Sequence, residues 1–350
     1  MEKTLRYITD KTAALIITHE NRRYLTGFPS SLGYLLMTQD GNKLFVDGRY
    51  FEAASKKAVN CEVVLMDKLI EQLNNEFKSK NIDKLLVETE ISVSVFESLK
   101  RRLNVKVTAS KPLTNKLYML RSVKKRDEVN CIVSAQRIAE KAFEDALDFI
   151  KVGKTEREIA AFLEYRMKLH GAEKIAFETI AVSGKNSSMP HGVPTDKKVE
   201  NGDFITLDFG SVINGYCSDM TRTVAVGFAT DEMNQVYNTV LQAQQKVIET
   251  VSAGVLCADA DNAARGVIEA AGYGEYFNHS TGHGVGLEIH EMPTLSQKAG
   301  SVKLRAGQIV TDEPGIYLPE KFGVRIEDML LVQKNGCKNL TKAEKHLIIL

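Results

Sequence analysis

Cysteine is scarce in this 350-residue chain and poorly placed for cross-linking. The five cysteines (Cys61, Cys131, Cys217, Cys257 and Cys337) are odd in number, widely scattered and contain no CxxC pair. That pattern indicates neither a disulfide framework nor the thiolate ligands of a structural zinc site. Free thiols suit a reducing compartment best, so we expect a cytoplasmic protein.

Neither sign of charge is in excess, and long apolar runs are missing. The 46 Lys and Arg residues balance 45 Asp and Glu residues, for a formal net charge of +1. A near-neutral chain has no general attraction to nucleic acid or to an anionic membrane. The first residues lack the basic and apolar stretches of a signal peptide, and no apolar run approaches the ~18 residues of a membrane span. We therefore expect neither nucleic acid nor a membrane as a partner.

The size of the chain favours two domains. At 350 residues and 38.9 kDa it exceeds the length at which one hydrophobic core usually stops growing. Its 43% hydrophobic and 26% charged residues are typical of a soluble globular protein, and argue against disorder, collagen or a coiled coil.

The first third of the chain alternates short apolar runs with a helical pattern. We predict a helix over 68–78 and strands at 13–18, 32–38, 43–47, 61–66 and 84–88. Asp40-Gly41 favours a tight turn before the strand at 43–47. The pattern breaks at Pro112 and a basic run follows, so we divide the chain into an α/β domain at 1–122 and a second domain at 123–350.

The second domain mixes helices with β-structure. We predict helices at 127–150, 155–170, 231–252 and 258–271. Between the helix pairs, residues 176–227 have a β pattern, and Asn214-Gly215 marks a hairpin turn between apolar runs at 204–207 and 223–226. Further β-like runs lie at 308–311 and 329–332. The fold class is therefore mixed α/β (α+β).

Carboxylates and an imidazole, the ligands that metal sites use, recur through this second domain. The candidates are Asp208, Asp219, His283, Glu313 and Glu327. Asp208 closes the strand at 204–207 and Asp219 lies across the turn, so facing strands can bring the two together. An unpaired carboxylate in an apolar strand is costly to bury unless a cation compensates it. Four carboxylates balance two divalent ions, so we expect two metals.

The same residues lie in motifs that resemble one known family. They are Pro190-His191-Gly192, Leu207-Asp208-Phe209-Gly210, the stretch 215–223, Gly282-His283-Gly284-Val285-Gly286 and Val324-Arg325-Ile326-Glu327-Asp328. In this order they are similar to the signatures of the pita-bread (M24) metallopeptidases, which include methionine aminopeptidase, aminopeptidase P and prolidase. Residues 21–28 and 47–50 resemble the creatinase-type N-terminal domain of the proline-specific branch. The resemblance implies a C-terminal pita-bread catalytic domain preceded by a smaller creatinase-type α/β domain.

The resemblance also implies a role for each residue. Asp219 would hold one ion through both oxygens, Asp208 and Glu327 would bridge, and His283 and Glu313 would complete the second ion. Glu313 would also shuttle a proton. His191 and His290 would act as catalytic histidines that contact the substrate and the developing charge. His279 would lie near the site, and Arg325 would steady a carboxylate ligand or pair with a surface acid.

The implied activity is hydrolysis of the bond between an N-terminal residue and proline, by a hydroxide that bridges two metal ions. The substrates would be short proline-containing peptides, either dipeptides as for prolidase or longer peptides as for aminopeptidase P. Alternatives are a non-catalytic peptide-binding relative and a metal-independent amidinohydrolase of the creatinase type, and the intact ligand set argues against both. One imidazole with four carboxylates suits Mn²⁺, with Co²⁺, Zn²⁺ or Fe²⁺ as alternatives. Relatives are commonly homodimers, which we also expect here.

Overall fold

The computed structural model describes residues 7–350, and the chain divides into two units. The first unit ends at Arg121 and the second begins at Ser122. Both combine helices with strands, which confirms the mixed fold class predicted from the sequence. Among the described residues, no helix is long and apolar enough to cross a membrane.

The first unit is built on a six-stranded sheet. Its elements in chain order are β1 (Thr12–Ile16), α1 (His19–Thr26), β2 (Tyr34–Thr38), β3 (Gly41–Val46), α2 (Gly48–Lys57), β4 (Glu62–Leu65), α3 (Leu69–Ser79), β5 (Lys84–Val87), α4 (Val93–Arg102), β6 (Lys106–Ala109) and α5 (Lys111–Ser122). The strand order is β4-β3-β2-β1-β5-β6. β2 runs antiparallel to β1 and β3. The pairs β3 with β4, β1 with β5 and β5 with β6 are parallel.

Alternation along β1 gives this sheet two apolar faces. Ala14 and Ile16 belong to a core formed with α1, α2 and α5, whereas Ala13 and Leu15 belong to a separate core formed with α3 and α4. Successive side chains of a strand point to opposite faces, so a strand that is apolar throughout must be covered on both sides. The sheet is therefore the middle layer of a three-layer unit, as the predicted alternation of strands and helices indicates.

The second unit contains two helix pairs, each followed by antiparallel strands. α6 (Arg126–Phe149) and α7 (Glu156–Leu169) precede β7 (Lys174–Ile175), β8 (Ile180–Ser183), β9 (Phe204–Phe209), β10 (Ser211–Ile213), β11 (Tyr216–Cys217) and β12 (Met220–Ala225). α8 (Asp231–Thr250) and α9 (Cys257–Ala270) precede β13 (Gly282–Gly284), β14 (Glu291–Leu295), β15 (Ile309–Asp312), β16 (Gly315–Leu318), β17 (Phe322–Arg325), β18 (Asp328–Val332) and β19 (Cys337–Asn339). All four predicted helices are thus confirmed, with ends that differ by at most two residues.

The strands of the second unit form four antiparallel sheets, against which the helices pack. The orders are β12-β9-β8, β11-β10-β7, β14-β13-β15-β18-β19 and the hairpin β16-β17. One core joins α6 and α7 to β9 and β12, and another joins α8 and α9 to β15, β17 and β18. The strands are therefore fixed by apolar contacts to the helices as well as by their ladders.

The turn predicted at Asn214-Gly215 exists and the predicted runs on either side of it pair as β9 and β12, but the turn itself closes a smaller hairpin that lies between them. Both residues have positive φ, at 47° and 75°, and they connect β10 to β11 through the pair Ile213 and Tyr216. β9 and β12 pair with each other beyond this small hairpin, with Asp208 opposite Thr221. Asp208 also lies within β9 rather than after it. Asp219 consequently approaches Asp208 from the link between β11 and β12 and not as its cross-strand partner.

The close approach of Gly210 to a neighbouring backbone makes a test of this packing. A Cβ at Gly210 would lie 1.9 Å from the carbonyl oxygen of Ser218, whereas a Cβ at Gly266 in α9 meets nothing within 4 Å. We expect Gly210→Ala to lower the free energy of unfolding by about 3 kcal/mol through overpacking. Gly266→Ala should raise it by about 1 kcal/mol, because alanine favours the helix. Urea unfolding followed by circular dichroism measures both, and equal stability of the two variants would contradict the packing described.

Candidate metal centre

Four acidic side chains converge in the second unit from four different places in the sequence. Asp208 lies in β9, Asp219 precedes β12, Glu313 lies between β15 and β16, and Glu327 lies between β17 and β18. The pairing of β9 with β12 and of β15 with β18 brings the four positions together. The backbone N–H of Glu327 also donates to the carbonyl oxygen of Thr221 at 3.1 Å, which links the two groups of strands.

His283 completes this cluster from β13. One ligand atom each from Asp219, His283 and Glu327 lie within 4.8 Å of one another. The Nε2 atom of His283 is 3.4 Å from Glu313 Oε1 and 3.6 Å from Asp219 Oδ2. Its Nδ1 donates to the carbonyl oxygen of Gly284 at 3.1 Å, so the lone pair of the neutral ring is on Nε2 and faces the carboxylates. Burial lowers the pKa of His283, which favours this neutral form.

Asp219 and Glu327 are buried, and the side chains of Asp208 and Glu313 are largely buried, at 15% and 17% exposure. Burial raises the pKa of Asp219 and of Glu327 well above the usual range, and repulsion from neighbouring carboxylates adds to the effect. Burial likewise raises the pKa of Glu313 to about 7. Oδ1 of Asp208 is buried and has no hydrogen-bond partner among residues 7–350. A set of carboxylate oxygens and one imidazole nitrogen with an unpaired buried oxygen fits divalent cations.

Two threonines outside the predicted set of site residues hold the acids in place. Thr221 Oγ1 donates to Glu327 Oε2 at 2.7 Å. Thr311 Oγ1 accepts from the backbone N–H of His283 at 3.0 Å and lies 3.3 Å from Glu313 Oε1, to which it donates. Thr311 could have been found from its spacing to Glu313. The two residues are two positions apart at the end of a strand, and side chains at that spacing share a face.

Arg325 connects the carboxylate cluster to His279. Its Nη2 donates to Asp208 Oδ2 at 2.7 Å and its Nη1 to the Tyr317 hydroxyl at 2.9 Å. The Tyr317 hydroxyl in turn lies 2.8 Å from His279 Nε2, and His279 Nδ1 lies 2.8 Å from the carbonyl oxygen of Ser280. Burial lowers the pKa of His279 to about 4 and raises that of Tyr317 to about 12. At neutral pH the tyrosine therefore donates to a neutral His279, and Arg325 pairs with Asp208 rather than with a surface acid.

His191 and His290 lie at the open side of the cluster. Both are exposed, unlike the buried His283. The His290 ring lies 4.2 Å from that of His283, measured between ring centroids. The carbonyl oxygen of Pro190, next to His191, accepts from Arg325 Nη1 at 3.3 Å. The structure thus brings every predicted site residue to one region, with two buried acids, two largely buried acids and a neutral imidazole inside and two exposed imidazoles beside them.

This arrangement is that of a hydrolytic metal centre on a mixed α/β scaffold, and comparison with known proteins identifies its family. Residues 130–334 match metallopeptidase family M24, and residues 8–123 match the creatinase/prolidase N-terminal domain. The chain belongs to metallopeptidase family M24. Its second unit therefore has the pita-bread fold that the sequence motifs imply.

Three relatives show how far the similarity extends. The chain is 42% identical to the Xaa-Pro dipeptidase of Pyrococcus horikoshii over 339 residues, which cover 96% of this chain and 94% of that protein. The structure of an Xaa-Pro dipeptidase from Bacillus anthracis superposes with a TM-score of 0.95 at 39% identity, covering 100% of this chain and 99% of the other. The X-Pro aminopeptidase of Thermotoga maritima gives a TM-score of 0.93 at 36% identity, covering 99% and 100%.

Burial of the Glu313 carboxyl group, with repulsion from Asp208 as a smaller contribution, predicts a pH-dependent stability for the metal-free protein. The pKa of Glu313 is about 7 in the folded state, above its value of 4.5 in the unfolded chain, so the folded state binds more protons between these values. Its contribution therefore favours folding below about pH 4.5 and is lost as pH rises through 7. Glu313→Gln keeps the acceptor for Thr311 but carries no charge, so at pH 8 it should raise the free energy of unfolding by roughly 3 kcal/mol.

Chemical unfolding in the presence of a chelator at pH 8 and pH 5 measures this effect. Glu144→Gln is the matched control, since Glu144 is exposed on α6. The control should match the wild type at both pH values. A Glu313→Gln variant that is less stable than wild type at pH 8 without metal would show that the cluster is not strained by its charge.

Proposed function

We propose that this chain is a metal-dependent peptidase that cleaves Xaa-Pro dipeptides. The observation that carries the proposal is the convergence of four carboxylates, two buried and two largely buried, on one neutral imidazole beside two exposed histidines. The names of the Pyrococcus horikoshii and Bacillus anthracis relatives supply the substrate class. The proposed metal ligands are Asp208, Asp219, His283, Glu313 and Glu327.

The proposed cofactor is a pair of divalent ions, with Mn²⁺ as the preferred metal. Oxygen donors outnumber nitrogen donors four to one in the proposed ligand set, and no cysteine takes part, which suits a hard cation. When bound, such ions lower the pKa of a water molecule and polarise the scissile carbonyl group. Arg325 holds Asp208 and Thr221 holds Glu327, so the protein fixes these carboxylates before any ion arrives.

The remaining steps fall to protein side chains. We assign proton transfer to Glu313, because its side chain is 17% exposed and so is more accessible than that of Asp219, at 6%. His191 and His290 lie on the open side, where imidazole N–H groups can donate to the substrate and to its developing oxyanion. His279 acts indirectly: it accepts a hydrogen bond from the Tyr317 hydroxyl, which in turn accepts one from Arg325, so His279 helps to orient Arg325.

The organisation and setting of the protein are part of the same proposal. We assign residues 1–122 to a creatinase-type N-terminal domain and 123–350 to the catalytic domain, which the two matched regions and the division at residues 121 and 122 support. Five free cysteines support a cytoplasmic location. We further propose a homodimer that binds neither nucleic acid nor a membrane, which the near-zero net charge supports.

Hydrolysis of Ala-Pro and of Ala-Pro-Ala by metal-stripped protein, with and without added Mn²⁺, tests the activity. We expect Mn²⁺-dependent release of proline from the dipeptide and little cleavage of the tripeptide. Asp219→Ala should lower kcat/KM by more than about 100-fold. Removal of a metal ligand should reduce activity at least as much as removal of a residue that hydrogen-bonds to a ligand, which costs up to about 100-fold. Asp148→Ala removes an exposed acid from α6 and should leave the rate unchanged.

The outcomes separate the candidate functions. Faster cleavage of the tripeptide would assign the chain to the X-Pro aminopeptidase type, which the Thermotoga maritima relative represents. Activity that survives chelation and the Asp219→Ala substitution would contradict a metal mechanism. Absence of cleavage in both peptides, with Mn²⁺ bound, would overturn the proposed proline specificity.

A further inference from the structure

His191 lies on a segment with little regular structure. The chain leaves β8 at Ser183 and reaches β9 at Phe204 through a short 3₁₀ helix, Gly184–Ser188, and one isolated bridge at Lys198. His191 itself is exposed. A functional side chain is held accurately only when its own backbone is fixed by packing or hydrogen bonds, so something outside this segment must fix it.

The Glu156 carboxylate is a main point of attachment for this segment. This residue begins α7, is 0% exposed, and accepts six hydrogen bonds, all from three residues. Oε1 accepts from Ser183 N at 2.6 Å, Ser183 Oγ at 3.0 Å and Asn186 Nδ2 at 3.1 Å. Oε2 accepts from Thr195 N at 2.9 Å, Thr195 Oγ1 at 2.7 Å and Asn186 Nδ2 at 3.2 Å.

The donors bracket His191 along the chain. Ser183 and Asn186 precede it and Thr195 follows it, so one carboxylate fastens both ends of the segment. Hydrogen bonds to an ionised acceptor are shorter and stronger than neutral ones, which makes this a firm attachment. Between the two ends, Arg325 Nη1 donates to the carbonyl oxygen of Pro190 at 3.3 Å. The segment that carries His191 is thus held by the buried carboxylate of Glu156 and by Arg325, which also donates to Asp208.

Capping of α7 does not account for Glu156. The helix N-terminus is capped by Thr155 and Glu158, whose side chains bond each other's backbone N–H groups in a capping box. Glu156 makes none of these contacts and directs both oxygens to the segment that carries His191. Its buried charge therefore serves that segment and not the helix.

We propose that Glu156 is a positioning residue that holds His191 at the metal centre. The inference rests on the proposed function, and it assigns to a residue on a helix the task of orienting a histidine on the open side of the site. Glu156 does not touch the substrate. Its effect on the reaction passes through His191.

Glu156→Gln is the direct test, because the geometry leaves a glutamine no satisfactory orientation. Each oxygen of Glu156 accepts from a backbone N–H, so an amide NH₂ group must face either Ser183 N or Thr195 N. A displacement of about 1 Å in a catalytic group costs about 100-fold in rate, so we expect kcat for Ala-Pro to fall by that factor. We expect a smaller change in KM, since His191 is proposed to contact the substrate as well as its developing oxyanion, and little change in bound Mn²⁺.

Glu158→Gln is the matched control. It is the same substitution in the same first turn of α7, at a side chain 48% exposed that contacts the cap and not the segment bearing His191. We expect its kcat to stay within about twofold of wild type. A loss in Glu158→Gln as large as that in Glu156→Gln would show that disturbance of the helix end, and not of His191, lowers the rate.

A double-mutant cycle with His191→Ala separates positioning from a general structural role. If Glu156 acts through His191, then Glu156→Gln should cost nothing more in kcat once the imidazole is gone. Losses that multiply in the double variant would overturn the inference. Thr195→Val, which removes one hydroxyl donor and leaves the backbone N–H, is a milder variant should Glu156→Gln fail to fold, with an expected loss of about tenfold that also vanishes in the His191→Ala background.

The imidazole signal of His191 in a ¹H–¹³C NMR spectrum reports its position without turnover. Assignment comes from the peak missing in His191→Ala. We expect this peak to shift or broaden in Glu156→Gln and to stay in place in Glu158→Gln. If wild-type protein does not cleave Ala-Pro, the proposed function fails while the NMR comparison still tests the positioning. An unmoved His191 peak, or full kcat in Glu156→Gln, would overturn the inference.

Discussion

The constraint on which the second unit depends is the crowding of four buried or largely buried carboxylates into one small volume. Such a group is unfavourable by itself, because burial and mutual repulsion both disfavour the charged forms. The protein offsets part of this cost with Arg325 and with the hydroxyl groups of Thr221 and Thr311. The part of this unfavourable free energy that these groups do not offset is relieved when a divalent cation binds, and it therefore increases the affinity of the site for the metal.

The residues of the site differ in how their backbone is fixed. The buried acids and His283 lie on strands or within one or two residues of strand ends, where ladders and two apolar cores fix the backbone. The exposed His290 likewise directly precedes β14, whereas His191 lies on a segment without such support. There a buried carboxylate contributes instead, because Glu156 accepts hydrogen bonds from residues on both sides of His191. Strands thus fix the centre, and a buried carboxylate helps to fix the segment that carries His191.

Local patterns were sufficient for most elements, and the exceptions have a physical reason. Each predicted helix of the second unit had a continuous 3.6-residue apolar repeat, and α7 also had the capping box at Thr155 and Glu158. The Asn214-Gly215 turn was also found, because both residues tolerate positive φ. The predicted pairing of the runs at 204–207 and 223–226 is confirmed as β9 with β12. The small hairpin of β10 and β11 that the turn directly closes was missed, because strands of three and two residues are too short to show an alternating pattern.

The sequence by itself determined the family and which side chains could take part, since the motifs around Asp208, Asp219, His283, Glu313 and Glu327 carry the chemistry in their residue types. It did not determine how those side chains are held. Tyr317 reaches His279 across 38 residues, Thr221 reaches Glu327 across 106, and Glu156 reaches Ser183 and Thr195 across 27 and 39. No local pattern encodes such contacts. Only the tertiary structure decided them, because a hydrogen bond of this kind exists only once separate elements pack together.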